Sequence, residues 1–163
     1  MDINFTKIFK IISLSLLIAL FWALPAITNG AELSWQAIKN SPSSKNVVLA
    51  FILDTEGEKI NALAGEISLL SSGWELVSVS DANSFINFWI ERPFVGLDKK
   101  RVKFSGITPG GYLGKALILE LELKPSVTGI SYPDISVNNF SALINDGQGT
   151  AATVKTIGLI VTD

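Results

Sequence analysis

The stretch Ala116-Leu117-Ile118-Leu119-Glu120-Leu121-Glu122-Leu123-Lys124 decides the fold class. In an extended chain successive side chains point to opposite faces, so Leu117, Leu119, Leu121 and Leu123 share one face while Glu120 and Glu122 fall on the other. An apolar face against a charged one marks a strand with core on one side and water on the other. The stretch 63–69 divides in the same way, with Leu63, Ile67 and Leu69 inward and Glu66 and Ser68 outward. Val47 to Leu53 is apolar at every position, the pattern of a central strand covered on both faces or partly covered by a loop.

Short apolar runs punctuated by Gly, Pro, Asn, Asp and Ser fill the chain from Leu33 onward, with no 3.6-residue periodicity long enough to require a helix. The runs that read as strands are Leu33 to Ile38, Asn46 to Asp54, Ile60 to Leu70, Trp74 to Ser80, Phe85 to Glu91, Arg101 to Gly106, Ala116 to Lys124, Ile130 to Tyr132, Ser136 to Leu143 and Ala151 to Val161. Turn chemistry separates them. Asp54-Thr55-Glu56-Gly57-Glu58, Ser71-Ser72-Gly73, Pro109-Gly110-Gly111 and Asn145-Asp146-Gly147-Gln148-Gly149 supply residues tolerant of positive φ, and the chain is expected to reverse at each. Pro42, Pro93, Pro125 and Pro133 fall at expected strand edges or connections, where a missing N–H removes no ladder bond. Together these features describe one all-β sandwich domain.

Composition narrows the chemistry. The 163 residues carry 13 Lys and Arg against 15 Asp and Glu, a formal net charge of −2, and the basic residues are scattered apart from Lys99, Lys100, Arg101 and Lys103. Such a chain has no basic field for phosphate backbones, which argues against nucleic acid as a partner. It contains no His and no Cys, which removes the imidazole base, thiol nucleophiles, the usual zinc ligands and disulfides. Carboxylates, hydroxyls and surface recognition remain, and no cofactor or metal is expected.

At the front, Lys7 and Lys10 precede an apolar stretch from Ile11 to Leu24 interrupted only by Ser13 and Ser15, followed by Pro25 and Thr28-Asn29-Gly30. This is the layout of a signal-peptide helix over residues 1–30, with cleavage before Ala31 and an exported domain over residues 31–163. The uncharged stretch Ile11 to Ile27 also reaches the short end of a membrane span, about 17 residues, so an uncleaved anchor is the rival reading. Both place the domain outside the cytoplasm, secreted or at the cell surface. A cysteine-free exported domain draws its stability from packing and sheet hydrogen bonds.

Four motifs occur in order: Ile60-Asn61-Ala62-Leu63-Ala64-Gly65-Glu66-Ile67-Ser68-Leu69, Trp74-Glu75-Leu76-Val77-Ser78-Val79, Phe104-Ser105-Gly106 and Asn145-Asp146-Gly147-Gln148-Gly149-Thr150. Together they resemble a cohesin domain, and more narrowly the cohesin-like domains of small exported bacterial proteins. The resemblance spans about Val47 to Val154. It implies a jelly-roll β-sandwich of about nine strands, related to bacterial carbohydrate-binding domains of the cellulose-binding type. It also implies a non-catalytic role, since cohesins dock the calcium-loaded dockerin modules of polysaccharide-degrading enzymes, the calcium belonging to the dockerin. Docking through one flat sheet face would be carried here by Asn61, Ala62, Ala64, Glu66 and Ser68. The chain departs from the pattern at Ala64 and Gly65, where some cohesins present Asn and Asp toward dockerin. The expected partner is a dockerin-type module or a polysaccharide.

Other constellations have simpler readings beside their chemical ones. Asp54, Glu56 and Glu58 offer hard oxygen ligands for calcium, or form a solvated hairpin turn. The loop 145–150 offers oxygens to an ion or a sugar, or simply supplies turn and bulge geometry. Glycan stacking needs exposed flat rings, for which Trp35 and Tyr112 are the candidates, whereas Trp74 and Trp89 are expected in the core. Glu120 and Glu122, about 7 Å apart on one strand face, satisfy the crudest requirement for glycoside hydrolysis, but paired acids on a solvent face are common and no cleft is indicated.

Overall fold

The computed structural model describes residues 30–38, 45–127 and 132–160. The expected signal segment apart from Gly30, and the run Ile130 to Tyr132 apart from its last residue, lie outside these. Nine strands follow in order: β1 (Ala31–Ile38), β2 (Val47–Asp54), β3 (Ile60–Leu69), β4 (Trp74–Ser80), β5 (Phe88–Val95), β6 (Arg101–Tyr112), β7 (Lys115–Pro125), β8 (Ile135–Ile144) and β9 (Val154–Ile160). They form a five-stranded sheet in the order β4-β7-β2-β1-β9 and a four-stranded sheet in the order β5-β6-β3-β8. Every strand pair is antiparallel except β1 with β9, which run parallel from Ala31 beside Val154 to Gln36 beside Ile160.

The two inner faces supply one core. Leu33 and Trp35 of β1, Leu49, Phe51 and Leu53 of β2, and Leu119, Leu121 and Leu123 of β7 belong to the same buried cluster as Leu63 and Ile67 of β3 and Val102 and Phe104 of β6. Each such side chain contributes about 1.5–3 kcal/mol by leaving water. β2, apolar from Val47 to Leu53, is the central strand of the larger sheet between β1 and β7; its inward Leu49, Phe51 and Leu53 are buried, while Val48 and Ile52 on the outer face are half-buried.

Four local expectations give way in the structure, two of them at bulges. The β2–β7 register slips between Phe51, which opposes Leu119, and Ile52, which opposes Leu117. Ile118 is the extra residue there, fully buried, while Leu117 is only half-buried, so the alternation that put Leu117 inward ends at the bulge. β6 does not reverse at Pro109-Gly110-Gly111 but continues to Tyr112, with Gly110 and Gly111 at φ of 82° and 72° absorbing residues between the Ile107 and Tyr112 pairings. The chain crosses to the other sheet after Tyr112. β5 begins at Phe88 rather than Phe85 and runs through Pro93, which an edge strand tolerates. Ala151 makes an isolated bridge to Leu143, and β9 starts only at Val154.

Candidate functional site

The four-stranded sheet packs its inner face on the core and presents a continuous outer face. Paired residues in an antiparallel ladder share a face, so the register fixes what lies there. Along β3, Ala62, Ala64, Glu66 and Ser68 point outward, opposite Ile107, Ser105, Lys103 and Arg101 of β6. On the other side they meet Leu143, Ser141, Asn138 and Ser136 of β8. β5 adds Phe88 beside Ile107, Glu91 beside Ser105 and Phe94 beside Lys103. Four of the five residues expected to contact a partner therefore line the centre of one face.

One half of that face is tied together by its own polar groups. Lys103 Nζ pairs with Glu66 Oε2 at 3.5 Å. Ser68 Oγ donates to Glu66 Oε1 at 3.5 Å, Asn138 Nδ2 donates to Ser68 Oγ at 3.2 Å, and Ser136 Oγ donates to Asn138 Oδ1 at 3.1 Å. This string crosses β6, β3 and β8. The bulge that accompanies it, between the Ala64 and Glu66 pairings, places Asn139 at a φ of 50°.

The other half exposes apolar surface. Phe88 is 61% exposed, Ile90 75%, Phe94 59% and Leu97, in the turn after β5, fully so. Register shifts between Trp89 and Glu91 and between Glu91 and Phe94 make this possible, because each bulge changes the parity of the strand. Trp89 packs partly against the core while its neighbours on both sides face water. A shallow concavity of about 530 Å³ lies beside this ridge, lined by Glu91, Phe94, Leu97, Asp98, Arg101 and Lys103.

The whole architecture has known counterparts. A non-cellulosomal cohesin from the archaeon Archaeoglobus fulgidus superposes with a TM-score of 0.60 at 12% identity, over 82% of this chain and 92% of its own. The sixth cohesin of Acetivibrio cellulolyticus scaffoldin B, solved in complex with a Cel5 dockerin, gives 0.60 at 16% identity over 82% of this chain and 99% of its own. The fold is that of a cohesin module. A cohesin module from a Clostridium perfringens family 33 glycoside hydrolase is similar at a TM-score of 0.52 and 8% identity, over 79% and 96% of the two chains. No family model and no curated protein sequence matches the chain.

Within the cohesin fold, the fifth expected contact residue has a different occupation. Asn61 Nδ2 donates to Asn145 Oδ1 at 3.2 Å, and Asn145 Nδ2 donates to the Gly110 carbonyl at 2.9 Å. The backbone N–H of Asn145 also donates to the Lys59 carbonyl at 2.7 Å. The first and last motifs of the sequence are thus joined into a latch between the starts of β3 and the ends of β6 and β8. Gly111 makes room for it, since a Cβ there would stand 2.9 Å from Asn145 Cβ and Lys59 Cγ. Asp146 closes the loop by accepting from the Gln148 N–H at 2.8 Å, and its carboxyl is held below the usual range by hydrogen bonds from Thr150 and Gln148.

The rings expected to stack on glycans are not so disposed. Trp35 is only 6% exposed, because it points from β1 into the core between the sheets, and it stacks on Phe51 at a centroid distance of 5.4 Å and 22° between planes. Tyr112 is half-buried, 4.9 Å from Phe85, and its hydroxyl donates to the Lys115 carbonyl at 3.1 Å. Trp74 is buried as expected. Phe88 and Phe94 of β5 are exposed rings that the sequence reading did not single out.

The remaining constellations are engaged in the fold. Glu122 accepts from Asn46 Nδ2 at 2.7 Å and Ser78 Oγ at 2.9 Å, and these bonds hold its carboxyl below the ordinary value. A general acid for glycoside cleavage needs the opposite shift. In the 54–58 turn, Asp54 Oδ1 accepts from the Glu56 N–H at 3.2 Å, and the buried Thr55 exchanges bonds with Gly114 at 3.0 and 2.9 Å. The basic cluster is likewise occupied. Lys99 pairs with Glu75 and Arg101 with Asp98, and Lys100 Nζ donates to the Ser71 and Trp74 carbonyls.

Proposed function

We propose that this chain is a non-catalytic docking module, secreted or held at the cell surface, that binds a dockerin-type protein partner through the outer face of its four-stranded sheet. The observation that carries this reading is the face itself. Four hydrogen-bonded strands form it, with small side chains at Ala62, Ala64, Ser105 and Ser141 along its middle, so a rigid partner can approach the backbone closely. The solved complexes of similar cohesin modules with dockerins support the partner class. An interface of standard size, about 1,200–2,000 Å² in total, fits such a face.

Immobilised protein incubated with calcium-loaded dockerin modules, with and without a chelator, tests this. Retention that needs calcium and falls at least tenfold with Ala64→Arg or Glu66→Lys is the expected result. Unchanged affinity in both variants, with unchanged melting temperature, dismisses the face. Retention of polysaccharide instead of any dockerin replaces the partner class.

A further inference from the structure

We infer that the domain rests on an anionic lipid bilayer through one pole of the sandwich, the end at which β3, β5 and β7 finish and β4, β6 and β8 begin, leaving the four-stranded face free for the partner proposed above. The register brings these ends together: Ser68 lies beside Arg101, Leu69 beside Ile135, Val95 beside Val102 and Trp74 beside Pro125. The turns beyond them are bonded to one another. The Leu69 N–H donates to the Lys100 carbonyl at 2.7 Å, the Leu70 N–H to the Asp134 carbonyl at 2.9 Å and the Ser126 N–H to the Gly73 carbonyl at 2.7 Å. Lys100 turns inward, its Nζ donating to the Ser71 and Trp74 carbonyls. The turns 70–73 and 96–100 and the residues flanking them thus form one cap.

What the cap holds outward is apolar. Leu97 is fully exposed, Leu70 60%, Val127 54% and Tyr132 48%, and in the turns of the opposite pole only Leu113 is so exposed among the described large apolar residues. These side chains stand on separate turns. Separate tips leave gaps that a rigid protein surface does not fill, whereas the soft interface of a bilayer closes around each one. Charge selects the lipid. Lys45, Lys99, Arg101 and Lys124 are exposed at the cap against Glu75, Asp98 and Asp134, while the turns of the opposite pole carry Glu56, Glu58, Asp81 and Asp146 against Lys59. The field of an anionic surface turns a domain so polarised with its cap toward the headgroups. A lysine such as Lys99, two residues from Leu97, can lay its stem on the apolar layer and leave its ammonium among the phosphates. β1 begins at the opposite pole, Glu32 lying beside Asp54, so binding through the cap and tethering through a retained leader hold the domain in opposite orientations and can be told apart.

The chain contains no Cys, so a single introduced thiol reports on one place. The full chain, carrying an environment-sensitive fluorophore either at Ser72→Cys on the cap or at Leu113→Cys on the opposite pole, is titrated with vesicles of phosphatidylcholine alone and of phosphatidylcholine mixed with phosphatidylglycerol. Emission from Ser72→Cys rises at least twofold and shifts to the blue with the anionic vesicles only, and the vesicle concentration needed increases about tenfold in high salt. Leu113→Cys does not respond. Leu70→Ser combined with Leu97→Ser abolishes the change at unchanged melting temperature.

No change at Ser72→Cys, an equal change with uncharged vesicles, or a change at Leu113→Cys in place of Ser72→Cys overturns the inference. So does a response that survives the loss of Leu70 and Leu97, or sedimentation showing that the cap is covered by a second copy of the chain. The docking reading stands or falls separately, because Ala64 and Glu66 lie on the sheet face and not on the cap.

Discussion

The two halves of the four-stranded face differ in how completely they answer their own requirements. Across β6, β3 and β8, Lys103, Glu66, Ser68, Asn138 and Ser136 form a closed string of bonds, so this half is complete without any other molecule. Along β5, Phe88, Ile90 and Phe94 stand in water beside Glu91, whose side chain makes no ion pair or hydrogen bond among the described residues. The fold gains nothing from that exposure, since the same residues turned inward would add core. Function on a common scaffold is found where side chains are present that folding does not need.

The sharpest way to break this comparison is to remove one ring from each environment. Phe51→Ala deletes a ring buried to 1% and stacked on Trp35, and is expected to lower stability by about 3–5 kcal/mol in urea unfolding. Phe88→Ala is expected to change it by less than about 0.5 kcal/mol. A comparable loss at Phe88 would mean that the ridge belongs to the fold.

Gly106→Ala asks how firmly the ridge is held. A Cβ there would lie 2.5 Å from Ile86 Cγ2 and 2.9 Å from the Phe88 carbonyl oxygen, which is backbone and yields little. The expected loss is about 1–3 kcal/mol by thermal melting, together with chemical-shift changes at Phe88. Asn145→Ala opens the latch to Asn61 and Gly110 at the far end of the same face, and about 1 kcal/mol is expected from the lost hydrogen bonds. Lys103→Met cuts an exposed pair in the self-contained half and is expected to alter stability by less than about 1 kcal/mol.

Acid titration gives the smallest and most distributed effect. Hydrogen bonds from Arg92 to Asp81, from Asn46 and Ser78 to Glu122, and from Thr150 to Asp146 depress these carboxyls in the folded state. Groups depressed on folding contribute stability that is fully present above their unfolded values, about 3.9 for Asp and 4.3 for Glu, and that is lost as pH falls through the folded ones. Melting temperature should therefore drop below about pH 4, and Glu122→Gln should flatten that limb slightly. A limb unchanged in this variant would show that Asn46 and Ser78 leave Glu122 unheld in solution.

Much of this organisation is written locally. The alternation at 63–69 places Glu66 and Ser68 outward without knowledge of any neighbour, and the turn at Asp54 to Glu58 follows from residues that accept positive φ, as Glu56 at 46° and Gly57 at 93° do. What is not written locally depends on a second strand. The bulge at Ile118 exists only against β2, and the parity changes in β5 exist only against β6. The run Phe85 to Ile90, apolar at every position but Asn87, carries no period from which to choose a face. Trp35 is covered because the second sheet closes over the face from which it projects, and Asn61 meets Asn145 from 84 positions away. Long-range pairing decided every one of these.

The parallel contact of β1 with β9 bears on how the domain would carry load. Tension entering at Ala31 and leaving at Ile160 pulls the two strands lengthwise past each other, because they run in the same direction and are gripped at opposite ends. All of their hydrogen bonds, and those of β1 to β2 behind them, then resist together instead of opening one after another as in a zipper. A module joined in series through these two strands would behave as a stiff link, yielding by sudden rupture of the pair rather than by gradual extension.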